Sequence, residues 1–239
     1  IERLYLGAIY FFLHFQYNGW FFFACMGLFT DRLFSIGVKE EIQKQIFRLF
    51  FWSCFPAYFL SILWLKLPLV VYVIIVLAAF LQFVAWIVQV QMVFSNLERI
   101  KMFLSNSVLS FLLLPAIALT VKLLLQLFST HPELSKLAFG FRPIVIGYLH
   151  LVLLGVITLF LISWMMMEKI IRPERSAMGF VWLFAIGVIL NEIVLMLQGV
   201  CGMDNIQVPY INEILFCIAL VMFTGMFLTY RSSMKKGVA

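Results

Sequence analysis

His14 and His150 are the side chains of this sequence best placed to do chemistry, since each stands in an apolar run where an imidazole can ligate a metal, handle a proton or hydrogen-bond a neighbouring helix. Their contexts match. Phe12, Leu13, His14 and Phe15 lead to Gly19, and Tyr148, Leu149, His150 and Leu151 lead to Gly155, so both segments read aromatic, Leu, His, apolar, three residues, Gly. The two copies lie 136 residues apart. Asn18, four residues after His14, shares a helix face with it, and an amide there can orient an imidazole. Gln16 stands two residues before Asn18 and faces elsewhere. For both histidines, plain hydrogen bonding between helices competes with a ligand or proton-handling role. His131, beside Pro132 in a polar stretch, reads as part of a solvated turn.

Lys122, Asn191 and Glu192 also interrupt apolar runs. An ionisable group inside a span is costly and faces other helices or a wet cavity, which makes Glu192 a functional candidate. A simpler alternative pairs Glu192 with Lys122. Gln82, Gln89 and Gln91 read as interhelical hydrogen-bonding groups. Cys25, Cys54 and Cys217 sit in or at the ends of apolar runs and read as small buried side chains, while Cys201 falls in a loop; no CxxC or metal-type spacing joins them. There is no phosphate loop, HExxH or nucleophile elbow.

The elements that must carry these residues follow from composition. With 64% hydrophobic and 12% charged residues, the chain cannot cover a water-soluble globule of its length with charge. Apolar runs near bilayer length recur throughout: Leu4 to Phe29, Ile46 to Leu65, Pro68 to Met92, Ser107 to Phe128, Pro143 to Met167, Met178 to Val200 and Ile211 to Tyr230. A lipid-exposed backbone must satisfy its own hydrogen bonds, so the runs are helices. The expected fold is an all-α polytopic transmembrane bundle of about seven spans, one domain over residues 1–239, with lipid as its main partner. Pro56 and Pro115 are expected to kink their helices without breaking a span.

Basic residues orient the bundle. Arg32, Lys39, Lys44, Arg48, Arg99, Lys101, Lys169, Arg172, Arg175, Arg231, Lys235 and Lys236 fall on one side, and Arg3, Lys66, Lys136 and Arg142 on the other, twelve against four. That bias places the amino terminus outside an inner or plasma membrane and the basic tail in the cytoplasm. It also accounts for the net charge of +6 without a nucleic-acid partner, because the basic residues are spread over several loops. In this orientation His14, Lys122, His150, Asn191 and Glu192 all fall in the outer half of the bilayer. The first helix begins without a cleavable-signal pattern, and the chain is expected to be a fragment of a longer parent.

The segment from Leu13 to Trp20, with its echo at Leu149, His150, Leu151 and Gly155, resembles the His-then-Gly-Trp helices of membrane proteins related to heme-copper oxidase subunit I, including the NnrS-like group. The resemblance implies repeated four-helix units, here residues 1–128 and, one helix short, 143–239, with histidines near the outer leaflet that bind heme or copper. It implies His14 and His150 as ligands, with Asn18 beside them, to a heme b or a copper ion, in a respiratory or NO- or O2-related protein. An oxygen-reducing centre needs about six histidines and this chain has three, so a complete oxidase is not expected. Two other classes fit the same residues. A small-molecule or ion transporter would gather Glu192, Lys122, Asn191 and the histidines in a midplane cavity. A non-catalytic subunit or assembly factor, working with other membrane subunits, needs only the packing. A retinal receptor is excluded, because the last span carries no lysine for a Schiff base.

Overall fold

Apolar runs bounded by charged or proline-containing segments become helices, and among the described residues no strand occurs. The computed structural model describes residues 2–63, 65, 67–135, 141–171, 175–204 and 206–234. In chain order the helices are α1 (Glu2–His14), a π-helical segment (Phe15–Phe21), α2 (Phe22–Ser35), α3 (Glu40–Ala57) with a 3-10 extension (Tyr58–Ile62), α4 (Leu69–Ser95), α5 (Leu97–Phe103), and α6 (Asn106–Phe128). There follow α7 (Arg142–His150), a second π-helical segment (Leu151–Thr158), α8 (Leu159–Met167), α9 (Arg175–Met203) and α10 (Ile211–Met234).

Among the described residues, five helices are long and apolar enough to cross a membrane: Leu69–Ser95, Asn106–Phe128, Arg142–Met167, Ala177–Met203 and Ile211–Ser233. They match the last five expected runs to within a few residues. The two amino-terminal runs are helical but are not among the five. His14, Gln16 and Asn18 dilute the apolarity of the first, and α3 starts in the charged segment at Glu40 and stops at Ala57, short of the Leu65 expected. α-Helical geometry ends one residue beyond Pro56, and the chain continues as the 3-10 segment Tyr58–Ile62. Cys201 lies within α9, not in a loop. All four cysteines are free. Of the basic residues that orient the chain, Lys66, Lys136, Arg172, Lys235 and Lys236 lie outside the described residues.

The chain divides into two compact units, residues 1–103 with 119–139 and residues 104–118 with 140–239, so α6 gives its second half to the first unit and its first half to the second. In the first unit Gly37 closes α2 at φ +82°, with Val38 N–H reaching back to the Leu33 carbonyl at 3.0 Å and Gly37 N–H to Phe34 at 2.9 Å. Arg99 then donates to the Gly37 carbonyl at 2.6 Å, tying the α2–α3 turn to α5. Small Ala57, Ala78 and Ala79 bring α3 and α4 together beside Leu60 and Ile75. Along α4 and α6, Trp86 donates to Thr120 at 2.9 Å and Tyr72 to the Thr130 carbonyl at 2.7 Å, which fixes an antiparallel register.

In the second unit glycine sets the helix spacing. A Cβ on Gly225 of α10 would stand 2.7 Å from the backbone nitrogen of Phe184 on α9, and one on Gly199 of α9 would stand 2.6 Å from Ile144 of α7. Lipid tails are as apolar as the side chains, so this close backbone approach, and not hydrophobic burial, holds the hairpin together. The outer face of α10 presents Phe216, Phe223 and Phe227, as a lipid-facing helix should.

Candidate functional site

Both π-helical segments begin on the residue after a histidine, at Phe15 after His14 and at Leu151 after His150, and each contains the glycine five residues on. Phe22 N–H at the end of the first reaches Tyr17, and Leu159 N–H at the end of the second reaches Leu154, both five residues back. Wide turns of this kind are rare and concentrate at functional positions. The side chains around them differ, however. Gly155 is a packing residue whose added Cβ would meet Ala118 Cβ at 3.2 Å, whereas Gly19 faces only Phe15 of its own helix.

His14 belongs to the first unit and is 6% exposed. Its ring lies edge-on to Phe15, with centroids 5.1 Å apart, and to Tyr58 at 6.0 Å. Nε2 donates to the Cys54 carbonyl at 3.0 Å. That carbonyl is available because Tyr58, the residue that would bond it in a continuous α-helix, turns its N–H to Phe55 as the 3-10 segment starts. A carbonyl only accepts, so Nε2 carries the proton and Nδ1 is left as acceptor, facing Asn18 Nδ2 at 3.5 Å. Asn18 thus stands where an orienting amide was expected. Both nitrogens of His14 are committed within the protein.

Lys122 is buried in the same unit. Its Nζ donates to Gln126 Oε1 at 2.7 Å, and Gln126 Nε2 donates to Gln82 Oε1 at 2.6 Å. Among the described residues no carboxylate pairs with Lys122; Lys44 pairs with Glu40 and Lys101 with Glu98. Glu40, one turn before Lys44 in the charged segment, holds that ammonium above its ordinary range. Gln89 Nε2, two turns along α4 from Gln82, is buried without a partner among the described residues, and Gln91 is exposed.

His150 belongs to the second unit and is half-buried. Its Nδ1 donates to the Ile146 carbonyl of its own helix at 2.8 Å. Taking the carbonyl four residues back competes with the helical ladder, and the wide turn starts at the next residue; Thr158 closes it by donating to Leu153, five back, at 2.8 Å. With Nδ1 protonated, Nε2 keeps its lone pair. Gly147 faces Leu195 and Ile144 faces Gly199, so α7 and α9 run antiparallel. One turn beyond Gly147, His150 is level with Asn191 and Glu192, one turn before Leu195. Asn191 Nδ2 and Glu192 Oε1 are both buried without hydrogen-bond partners among the described residues.

The expected polar residues therefore separate into two groups: His14, Asn18 and Lys122 in the first unit, and His150, Asn191 and Glu192 in the second. Gln16 is only partly buried. Tyr58 and Gln126 take part without having been singled out in the sequence, and Cys54, read there as a small buried side chain, takes part through its carbonyl and its thiol. Gln126 carried a signal, because it follows Lys122 by four residues on one helix face. Among the described residues no three of His, Cys, Asp and Glu gather as a metal-ion site. Comparison with models of known protein families, with characterised proteins and with solved structures gives no match.

Proposed function

We propose that this chain is a heme-binding membrane protein of the heme-copper oxidase subunit I kind, with seven spans, an external amino terminus and a four-helix unit followed by a second copy one helix short, in which His150 is the heme ligand. The observation that carries the reading is the state of the His150 imidazole. Its Nδ1–H is tied to the Ile146 carbonyl at 2.8 Å, leaving the Nε2 lone pair uncommitted. A backbone carbonyl holding the far nitrogen is how ligating imidazoles are fixed in tautomer and direction. The paired π-helical segments after His14 and His150 support descent from one duplicated unit.

Heme fits these residues better than copper does. A porphyrin brings four nitrogens of its own and asks the protein for one axial group, whereas a copper ion needs a cluster of donors. The second unit offers one imidazole, with Asn191 as a buried donor and Glu192 as a buried acceptor at the same level. His14 does not fit as a second ligand, because Cys54 and Asn18 occupy its ring nitrogens. About eight residues into its span, His150 is about 12 Å from the outer end of the helix, within the outer half of the bilayer. A bound heme supplies one-electron exchange and a position for a diatomic gas. The chain's own residues hold the imidazole still, exclude lipid and offer the two polar partners.

The test is the heme content of protein purified in mild detergent after expression with added heme. About one heme b per chain is expected; monodisperse protein that takes up neither heme nor copper rejects the reading.

A further inference from the structure

We infer that the first unit holds a small monovalent inorganic anion, of the chloride class, against the Lys122 ammonium. The site is independent of the heme reading and lies in the other unit.

Lys122 is 5% exposed on α6, and its one hydrogen bond goes to a neutral amide. The polarity of the chain that follows is fixed. Gln126 turns its oxygen to Lys122 and therefore its nitrogen to Gln82, whose oxygen accepts at 2.6 Å. Each side-chain oxygen in the chain already accepts a hydrogen bond, while donors are left over: two hydrogens on Lys122 and one on Gln126. His14 and Cys54 of the same unit bring no negative group, since Nε2–H of His14 and the Cys54 thiol both donate to backbone carbonyls. A buried ammonium left with a neutral partner is strongly unfavourable. A surplus of donors around an uncompensated cation calls for an anion, and one charge calls for a monovalent one. Glutamate or aspartate would serve from the protein, but among the described residues none reaches Lys122.

The experiment measures thermal unfolding of the full chain in detergent at constant ionic strength, with sodium gluconate replaced stepwise by chloride, bromide or nitrate. Equilibrium dialysis with labelled chloride runs alongside. For the natural chain the midpoint should rise by several degrees in a saturable way, with about one chloride retained per chain. Lys122→Met, which keeps the length of the side chain and removes the charge, should lose both the shift and the retained chloride, and Lys122→Arg should keep a weakened shift. Natural protein with neither a saturable shift nor retained chloride overturns the inference. So does a Lys122→Met protein that responds as the natural chain does. Should Lys122→Met fail to fold, dialysis on the natural chain decides alone, because saturable binding supports the site and its absence removes it.

Discussion

His14 Nε2 donates to the backbone carbonyl of Cys54, 3.0 Å away and forty residues further along the chain. The bond joins two departures from α-helical geometry, the wide turn that starts at Phe15 and the narrow one that starts at Tyr58. The second frees the carbonyl that the first histidine fills. His14 is therefore a staple between α1 and α3, whereas the Nδ1–H of its sequence counterpart His150 stays within its own helix, on the Ile146 carbonyl.

The staple makes a mutational prediction. Replacing His14 with Leu leaves the Cys54 carbonyl buried and unpaired, and should destabilise the chain by about 1–3 kcal/mol. His14→Gln, which can put an amide nitrogen near the position of Nε2, should recover about half of that or more. Thermal or denaturant unfolding in detergent checks it, and equal losses for the two variants would contradict the staple.

Helix spacing in the second unit predicts a glycine contrast. Gly225→Ala drives a Cβ to 2.7 Å from the Phe184 backbone nitrogen, where no flexible side chain can yield, and should cost about 1–3 kcal/mol. Gly27→Ala and Gly179→Ala meet nothing within 4 Å and should be neutral or stabilising by roughly 0.5 kcal/mol, through helix propensity alone. Three similar unfolding midpoints would show that the α9–α10 approach does not set stability.

The seven-span orientation is tested by thiol labelling in a background with the four native cysteines replaced. Cysteine at His131 or Ile206 should react with a membrane-impermeant reagent in intact cells. At Lys39, Glu98 or Glu168 it should react only after permeabilisation. Labelling of Lys39→Cys from outside would mean that Glu2–Ser35 does not cross, and would reduce the spans to the five long apolar helices.

Much of this was legible in the residues. Continuous apolar runs with charged ends located α4, α6, α9 and α10 closely, because runs this long and uniformly apolar are too long for barrel strands and hide their backbone in lipid only as helices. The spacing of His14 to Gly19 and His150 to Gly155 marked the two places where the helix widens. Chemistry inside those segments was less visible. Which nitrogen of an imidazole is occupied depends on a carbonyl forty residues away for His14 and four away for His150, and only the first needs a break in another helix. Pro56 shows in the sequence which hydrogen bond is lost, not that the next turn closes as a 3-10 segment. Depth alone offered Glu192 as an alternative partner for Lys122, while its partner, Gln126, is one turn away on its own helix.

Heme binding through His150 is the central claim, and a reduced-minus-oxidised optical spectrum tests it most directly. We expect a Soret band and sharp α and β bands from the natural chain and from His14→Gln, and their loss from His150→Ala purified as a folded, monodisperse protein. A natural chain without a Soret band, or a His150→Ala chain that keeps the full spectrum, would contradict it.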